Sequence, residues 1–456
     1  MYRKKDLQNL QDIFNRTSND IVLLYGKRDM GLADIVSDFI KDKECLYYKA
    51  SAVTDRVQKQ LFASSLYDQT KNPIFPDDDY GNLINTFINN QEGRKKIIVL
   101  DDFIYLVKGN PTFINFLSNL LFAQNAPNSA MFLLVCDDIR WVEQEMVGLV
   151  GKKSSEISAV VKLNEYSATE FYNCFPDMPL SESIGIYSLT GGRSSYYDMI
   201  ENDTTFHELV IKMLDTWADT DIYPLRYLPH EIREPAVYNT ILMNIASGVS
   251  KLNDIHKATD IDRAKLSVYL KTLIENDLVE KAVSADVGDP SNTKKAMYRI
   301  RNRMVLFYYR FVFPHLSALT LIGPERFYKR FIEHSISEFL EDSYHLVCME
   351  HIRWLESEGR LNFKVAGIEE YFDKNEAIDF VIVAVGGSVI ACSCRYSGPH
   401  MSYKTFEAVK TSVRRNKMHC DNIWLFSASG FDQKLTMSES VTPGLKLING
   451  KDQRLR

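Results

Sequence analysis

The sequence predicts an α/β multidomain chain that opens on a doubly wound parallel sheet. Three observations carry this. Ile21-Val22-Leu23-Leu24 is a short apolar run followed by a turn bracketed by Gly26 and Gly31 and then a helical pattern at Ile35, Val36 and Phe39. Two further apolar runs, Ile97-Ile98-Val99-Leu100 and Met131-Phe132-Leu133-Leu134-Val135, each end in paired acids, Asp101-Asp102 and Asp137-Asp138. Helical stretches separate all of these, and continuous apolar strands alternating with helices form parallel sheets covered on both faces.

Strand, Gly-x-x-x-x-Gly, helix is the layout of a phosphate-binding loop, whose backbone N–H groups point into the bend at a helix N-terminus. The loop comprises Gly26, Lys27, Arg28, Asp29, Met30 and Gly31. A working loop continues with Lys, for the β/γ-phosphates, and Ser or Thr, for Mg²⁺. Here those positions are Leu32 and Ala33. A lysine at about 4 Å from a phosphate contributes on the order of 4 kcal/mol at an effective dielectric near 20. Its loss weakens binding and transition-state stabilisation roughly a thousandfold. Lys27 and Arg28 are the cations within reach that could stand in for it.

The chain has 456 residues, 45% hydrophobic and 25% charged, as expected of a globular protein of about three domains. Its net charge of −6 excludes a chain built overall to coat nucleic acid or an anionic membrane. Met1-Tyr2-Arg3-Lys4-Lys5-Asp6 leads into no apolar signal region, and no run reaches 18 apolar residues, so a cytoplasmic protein without a membrane partner is predicted. The seven cysteines are scattered without a C-x-x-C pair, which predicts reduced thiols and no metal site.

In order along the chain, Cys45-Leu46-Tyr47-Tyr48 reads as a second strand, Arg56 to Leu66 as a helix, and Pro111 to Phe122 as another. Asp101 and Asp102 at the end of an apolar strand form a Walker B pattern, in which the first carboxylate holds Mg²⁺ and the second polarises water. Acids at strand ends also cap helices, so the pair gains its meaning from the loop before it. From Arg233 the pattern changes. Three helices are predicted, from Arg233 to Ala246, Lys251 to Lys257 and Arg263 to Asn276, and then a hairpin of Leu278–Val283 with Ala296–Ile300. That is the winged helix-turn-helix order. Between Lys251 and Arg310, 12 Lys/Arg face 8 Asp/Glu, a surplus of four, which leaves −10 for the rest of the chain. A basic island in an acidic chain favours phosphate contact, with Arg263, Lys265 and Lys271 on the third helix and Lys294 and Lys295 in the wing as the candidate DNA-binding residues. Docking of a protein partner is the other use of such a module.

The aromatic run Met304 to Phe313 reads as a core helix ended by Pro314, and Phe331 to Leu355 as a further helix. Ala377–Ala384 and Val389–Arg395, joined by Gly386-Gly387, read as a hairpin.

At this point the whole order resembles a known family. Tyr25-Gly26-Lys27-Arg28 followed by Gly31 is similar to the "YGRRRVGKT" loop of bacterial and archaeal AAA-type ATPases that carry a DUF234 C-terminal domain. Val99 to Phe103 resembles their "IDEF" segment, Gly191-Gly192-Arg193-Ser194-Ser195-Tyr196 their "GGxPxY" segment, and Tyr269 to Leu273 their "YLxxL". Ile378-Asp379 resembles "EIDIV", Ser427 to Phe431 "SKSGF", and Ser393-Cys394-Arg395-Tyr396 falls on "ECKW". The resemblance implies a P-loop NTPase (AAA-like) domain with a helical lid over 1–225, a winged-helix domain over 226–318, and an α/β restriction-endonuclease-like domain of PD-(D/E)XK type over 319–456. It implies ATP or ADP with Mg²⁺ as the ligand of the first domain, whereas DNA as the partner of the second rests on that domain's basic residues. In the third, Glu341, Asp379, Ser393 and Arg395 stand at nuclease positions, but a serine replaces the second carboxylate and an arginine the lysine. One acid holds a hard cation poorly, because such cations want several oxygen ligands. The sequence therefore predicts a DNA-associated regulatory or scaffold protein with weak or lost ATP hydrolysis. The alternatives are an active ATPase working through Asp101, Asp102 and substitute loop cations, and a DNA-cleaving effector.

Overall fold

The computed structural model describes residues 3–71, 79–89, 95–113, 116–117, 129–146, 148, 157–218, 234–285, 296–372 and 377–450. They divide into two compact units, Met1–Glu165 with Arg193–Ser195, and Tyr166–Gly192 with Tyr196–Arg456.

The first unit is built on five parallel strands: β1 (Asp20–Tyr25), β2 (Cys45–Lys49), β3 (Lys96–Asp101), β4 (Ala130–Cys136) and β5 (Ala159–Lys162), in the order β2-β3-β4-β1-β5. β1 and β4 are buried at every residue and β3 at every residue but its last, as apolar runs covered on both faces must be. The edge strands are less enclosed: β2 alternates buried positions with more open ones, and β5 alternates half-buried and exposed ones. The period of two divides β1 between two cores. Val22 and Leu24 face α1 (Lys4–Phe14) and α2 (Leu32–Ile40), whereas Ile21, Leu23 and Tyr25 face α3 (Asp55–Thr70), α4 (Tyr80–Ile88) and α5 (Ile104–Gly109). The helix expected over 111–122 lies mostly outside the described residues. β1 connects through α2 to the far edge of the sheet, while β5 adds on its other side. This is the topological switch point at whose carboxyl edge ligands of open α/β sheets bind.

The second unit begins with α6 (Ala168–Cys174), α7 (Leu180–Thr190) and α8 (Phe206–Ala218). Three helices follow, α9 (Pro235–Ala246), α10 (Leu252–Thr259) and α11 (Arg263–Glu275), and then the antiparallel hairpin of β6 (Val279–Val283) and β7 (Ala296–Ile300). Pro235 opens α9, where a missing N–H costs nothing. Asp262 caps α11, its side chain accepting the N–H groups of Ala264 at 2.9 Å and Lys265 at 3.3 Å.

Pro314 does not end the aromatic helix. The backbone stays helical from 303 to 322, as α12 (Arg303–Phe307), a wide π turn over 308–312, a tight 3₁₀ turn over 313–315, and α13 (Leu316–Ile322). Proline lacks the N–H that an α-helix needs and crowds the carbonyl four residues back, and the change of pitch accommodates both. Met304, Val305, Phe307, Tyr308, Tyr309, Phe311 and Val312 are buried in protein. By length and composition alone this run of 20 residues is apolar enough to cross a membrane. A short helix, α14 (Pro324–Phe331), precedes the one expected over 331–355, which runs as α15 (Ile336–Ser357).

The last layer is a mixed sheet of β8 (Val365–Glu370), β9 (Phe380–Ala384), β10 (Val389–Arg395), β11 (Cys420–Ser427) and β12 (Leu445–Asn449), in the order β12-β11-β10-β9-β8. β8, β9 and β10 pair antiparallel, and β10, β11 and β12 parallel. α16 (Tyr403–Arg415) and α17 (Gln433–Val441) pack on it through Phe406, Val409 and Leu435. The β6–β7 hairpin is stitched to this sheet. Ala285 N–H donates to the Glu370 carbonyl at 2.8 Å, Phe372 N–H to Ser284 Oγ at 3.0 Å, and Arg299 bridges Glu280 at 2.8 Å and Glu370 at 2.7 Å.

Candidate functional site

The carboxyl edge of the parallel sheet gathers the loop after β1 and the acids that follow β3 and β4. Gly26 donates its N–H to the Cys136 carbonyl at 3.2 Å, and a Cβ at Gly26 would stand 2.8 Å from that of Leu163, so only glycine fits. Residues 28–30 then tighten into a 3₁₀ turn, in which Met30 N–H bonds the Lys27 carbonyl at 3.0 Å and Gly31 N–H that of Arg28 at 3.3 Å. Gly31 adopts φ 77, the left-handed region, to start α2. Two N–H groups that a phosphate cradle would offer are thereby taken up inside the loop.

Leu32 is buried in the core with Val22, Leu24, Ile35 and Phe39, and Ala33 is exposed. The position where a nucleotide-binding loop presents an ammonium here packs α2 onto the sheet. Arg28 does not reach into the loop either. Its guanidinium bonds the carboxylate of Asp137 and lies 3.8 Å from that of Asp102. Lys49, at the end of β2, lies 3.2 Å from Asp101 and 3.3 Å from Asp102, and Tyr47 Oη donates to Asp101 at 2.6 Å. Burial foremost, then Asp137 and Asp101, push the Asp102 carboxyl up, and Lys49 and Arg28 pull it back. Asp102 also holds φ 53. Left-handed backbone costs a non-glycine residue roughly 1 kcal/mol, and aspartate bears it better than most.

The loop carries a buried acid of its own. Asp29 accepts from Arg193 Nη1 at 2.6 Å, and Arg193 Nη2 reaches Glu165 at 2.5 Å. Arg193 is 2% exposed and Asp29 4%. Asp29 Oδ1 has no hydrogen-bond partner among the described residues. Beside this pair a Cβ on Gly31 would meet Ser194 Oγ at 2.7 Å, so the 193–195 segment lies directly on the loop. Sequence reasoning named Arg193 only within a motif and gave Asp29, Lys49 and Asp137 no role. Their partners stand 164, 52 and 109 positions away, a separation that carries no local signal.

Taken together these residues do not fit a magnesium triphosphate as they stand. Both acids already face cations, no ammonium follows Gly31, and an added carboxylate sits in the loop. Among the described residues no group of three or more His, Cys, Asp or Glu is arranged to hold a metal ion.

In the mixed sheet, Glu341 accepts the N–H groups of Tyr396 and Ser397, each at 2.9 Å, and Asp379 that of Cys394 at 2.7 Å. Burial pushes the Asp379 carboxyl up, while the Cys394 N–H, His345 and the Ser393 hydroxyl favour its charged form. Both acids serve the chain's own backbone. Ser393 is buried beside Asp379, and Arg395 at the end of β10 makes no ion pair among the described residues.

Arg263, Lys265 and Lys271 are exposed on α11, with Lys271 Nζ 3.7 Å from Glu275. Lys294 and Lys295 lie outside the described residues.

Residues 308–409 match the family described as archaeal and bacterial proteins of unknown function, DUF234. That span runs from the aromatic helix through β10 into α16. Over 380 residues the chain is 22% identical to the uncharacterized protein MJECL04 of Methanocaldococcus jannaschii, covering 83% of each. Among solved structures it is similar to the Walker-type ATPase PABY2304 of Pyrococcus abyssi, at 15% identity, covering 68% of this chain and 95% of that one, with a TM-score of 0.47. It is also similar to the Aeropyrum pernix ORC2 protein in its ADPNP-ADP complexes, at 14% identity, 70% and 94% coverage and a TM-score of 0.43.

Proposed function

We propose that the first unit is an AAA-type P-loop domain that has given up ATP hydrolysis, and that the chain is a DNA-associated regulatory or scaffold protein. One observation carries the first half: Leu32 lies in the core where a hydrolysing loop needs an ammonium, at a sheet edge whose acids already face Lys49 and Arg28. Without that ammonium the developing phosphate charge lacks on the order of 4 kcal/mol of stabilisation. The pure chain and an Asp102→Asn variant are expected to turn over ATP at the same background rate. Turnover that this change abolishes would overturn the reading.

The second half rests on the capped helix α11, which presents Arg263, Lys265 and Lys271 to solvent beside an antiparallel hairpin. Duplex binding by the full chain is expected to fall steeply with salt and to be largely lost in Lys265→Glu/Lys271→Glu. Unchanged retention on DNA in that variant would remove the winged-helix assignment. The mixed sheet then serves binding or structure, because Glu341 and Asp379 are engaged by backbone N–H groups rather than open to a metal.

A further inference from the structure

The C-terminal sheet carries a surface that none of this uses. Between 319 and 456 the 18 Lys/Arg and 18 Asp/Glu balance, yet Tyr403–Lys417 holds Lys404, Lys410, Arg414, Arg415 and Lys417 against Glu407 alone. The buried side of α16 is Phe406, Val409 and Ser412, so the helix is anchored and its cations turn outward. Lys404, Ala408, Thr411 and Arg415 follow at steps of four, three and four and are all exposed. They form a stripe of about 16 Å along the helix axis. Long cations stand at its two ends and small side chains between them, which leaves room for a backbone of phosphates, spaced at about 3.4 Å of axis per strand.

The acids near this stripe are occupied. Glu407 lies 3.3 Å from Lys410. Asp432 accepts the N–H groups of Leu435 at 2.7 Å and Tyr403 at 3.2 Å, and Glu439 that of Leu447 at 2.7 Å. Lys404 and Arg415 make no ion pair among the described residues, and Arg414 shares Glu407 with Lys410. Lys434 on α17 adds a further cation, its Nζ 4.2 Å above the Tyr403 ring at the start of the stripe. Beneath it, α16 shares its apolar core with the segment that leads out of β6. Ala285, the last described residue before the wing loop, belongs to the same apolar cluster as Phe406 and Val409.

We propose that the outer face of α16, through Lys404, Arg414 and Arg415, is a second duplex-DNA contact that grips the phosphate backbone without reading bases and extends the footprint of the winged helix. This rests on the winged-helix reading above. The nuclease-like sheet thus holds DNA with residues other than those at its degenerate metal positions.

The test is binding of the full chain to two unrelated duplexes across a salt series. Both Lys404→Ala and Arg415→Ala remove exposed, unpaired side chains, so the double variant should melt like the parent. Its slope of log affinity against log salt is expected to be shallower by about 2, since each lost phosphate contact removes about 0.9. The change should be equal on both sequences. An unaltered slope, with binding still lost in Lys265→Glu/Lys271→Glu, would overturn this surface and leave the winged-helix reading standing. No binding by the parent, or none of these changes mattering, would overturn both. Retention of the parent on phosphatidylserine vesicles that the α16 variant loses, with its DNA slope unaltered, would assign the patch to lipid and overturn the proposal.

Discussion

Replacing Arg193 by alanine is expected to unfold the first unit more easily than any surface change in the chain. The guanidinium is 2% exposed and bonds Asp29 at 2.6 Å and Glu165 at 2.5 Å. Removing it leaves the Asp29 carboxylate buried, and its second oxygen already has no partner among the described residues. Breaking a buried pair from one side costs about 3–5 kcal/mol, chiefly because the remaining charge is stranded. For a unit of this size that corresponds to a melting point about 10 °C lower. Arg193→Met combined with Asp29→Leu should recover most of the loss, since apolar residues of similar volume replace such pairs with little penalty. Calorimetry of the single and double variants decides. Equal losses in both would mean that shape at this position, and not charge pairing, holds the 193–195 segment on the loop.

The second large effect is on pH dependence. Burial alone would push the Glu370 carboxyl up, but His345 and the Arg299 guanidinium override it and hold it at about 2, below its ordinary 4.5. A carboxylate more acidic in the folded chain than in the unfolded one stabilises the fold above 4.5. That contribution disappears as the pH falls from 4.5 towards 2. At 1.36 kcal/mol per pH unit it is worth about 3 kcal/mol in the second unit. Glu370→Gln should lower stability at neutral pH and flatten the decline below pH 4.5. Urea denaturation at neutral and acid pH measures both. A variant that loses stability as steeply as the parent below pH 4.5 would show that another carboxylate controls the acid limb.

What could be read ahead of the structure follows from burial. β1, β3 and β4 are enclosed on both faces, so their composition alone marks them. β5 escaped because at four residues it is too short for its apolar run to stand out. β8 escaped because Gly367, Glu369 and Glu370 look like loop, and Glu370 becomes tolerable in a strand only once Arg299 arrives from 71 positions away. The loop was legible as glycines at the right spacing, and Leu32 and Ala33 as departures from it. The buried Asp29–Arg193 pair was not, because an aspartate in a turn has many ordinary uses. Pro314 misled for a related reason. Its rule assumes an α-helix, and the chain changes pitch instead of stopping.

The link between Ser284, Ala285, Arg299 and the strand that ends at Glu370 has a practical outcome for dissecting the chain. A fragment cut just after Ile300 or Pro314 would keep α9, α10 and α11 and discard the pillar against which the β6–β7 hairpin leans. Such a truncated piece would present α11 intact while its hairpin swung loose, so a weak result with it would report the missing pillar and not the competence of α11.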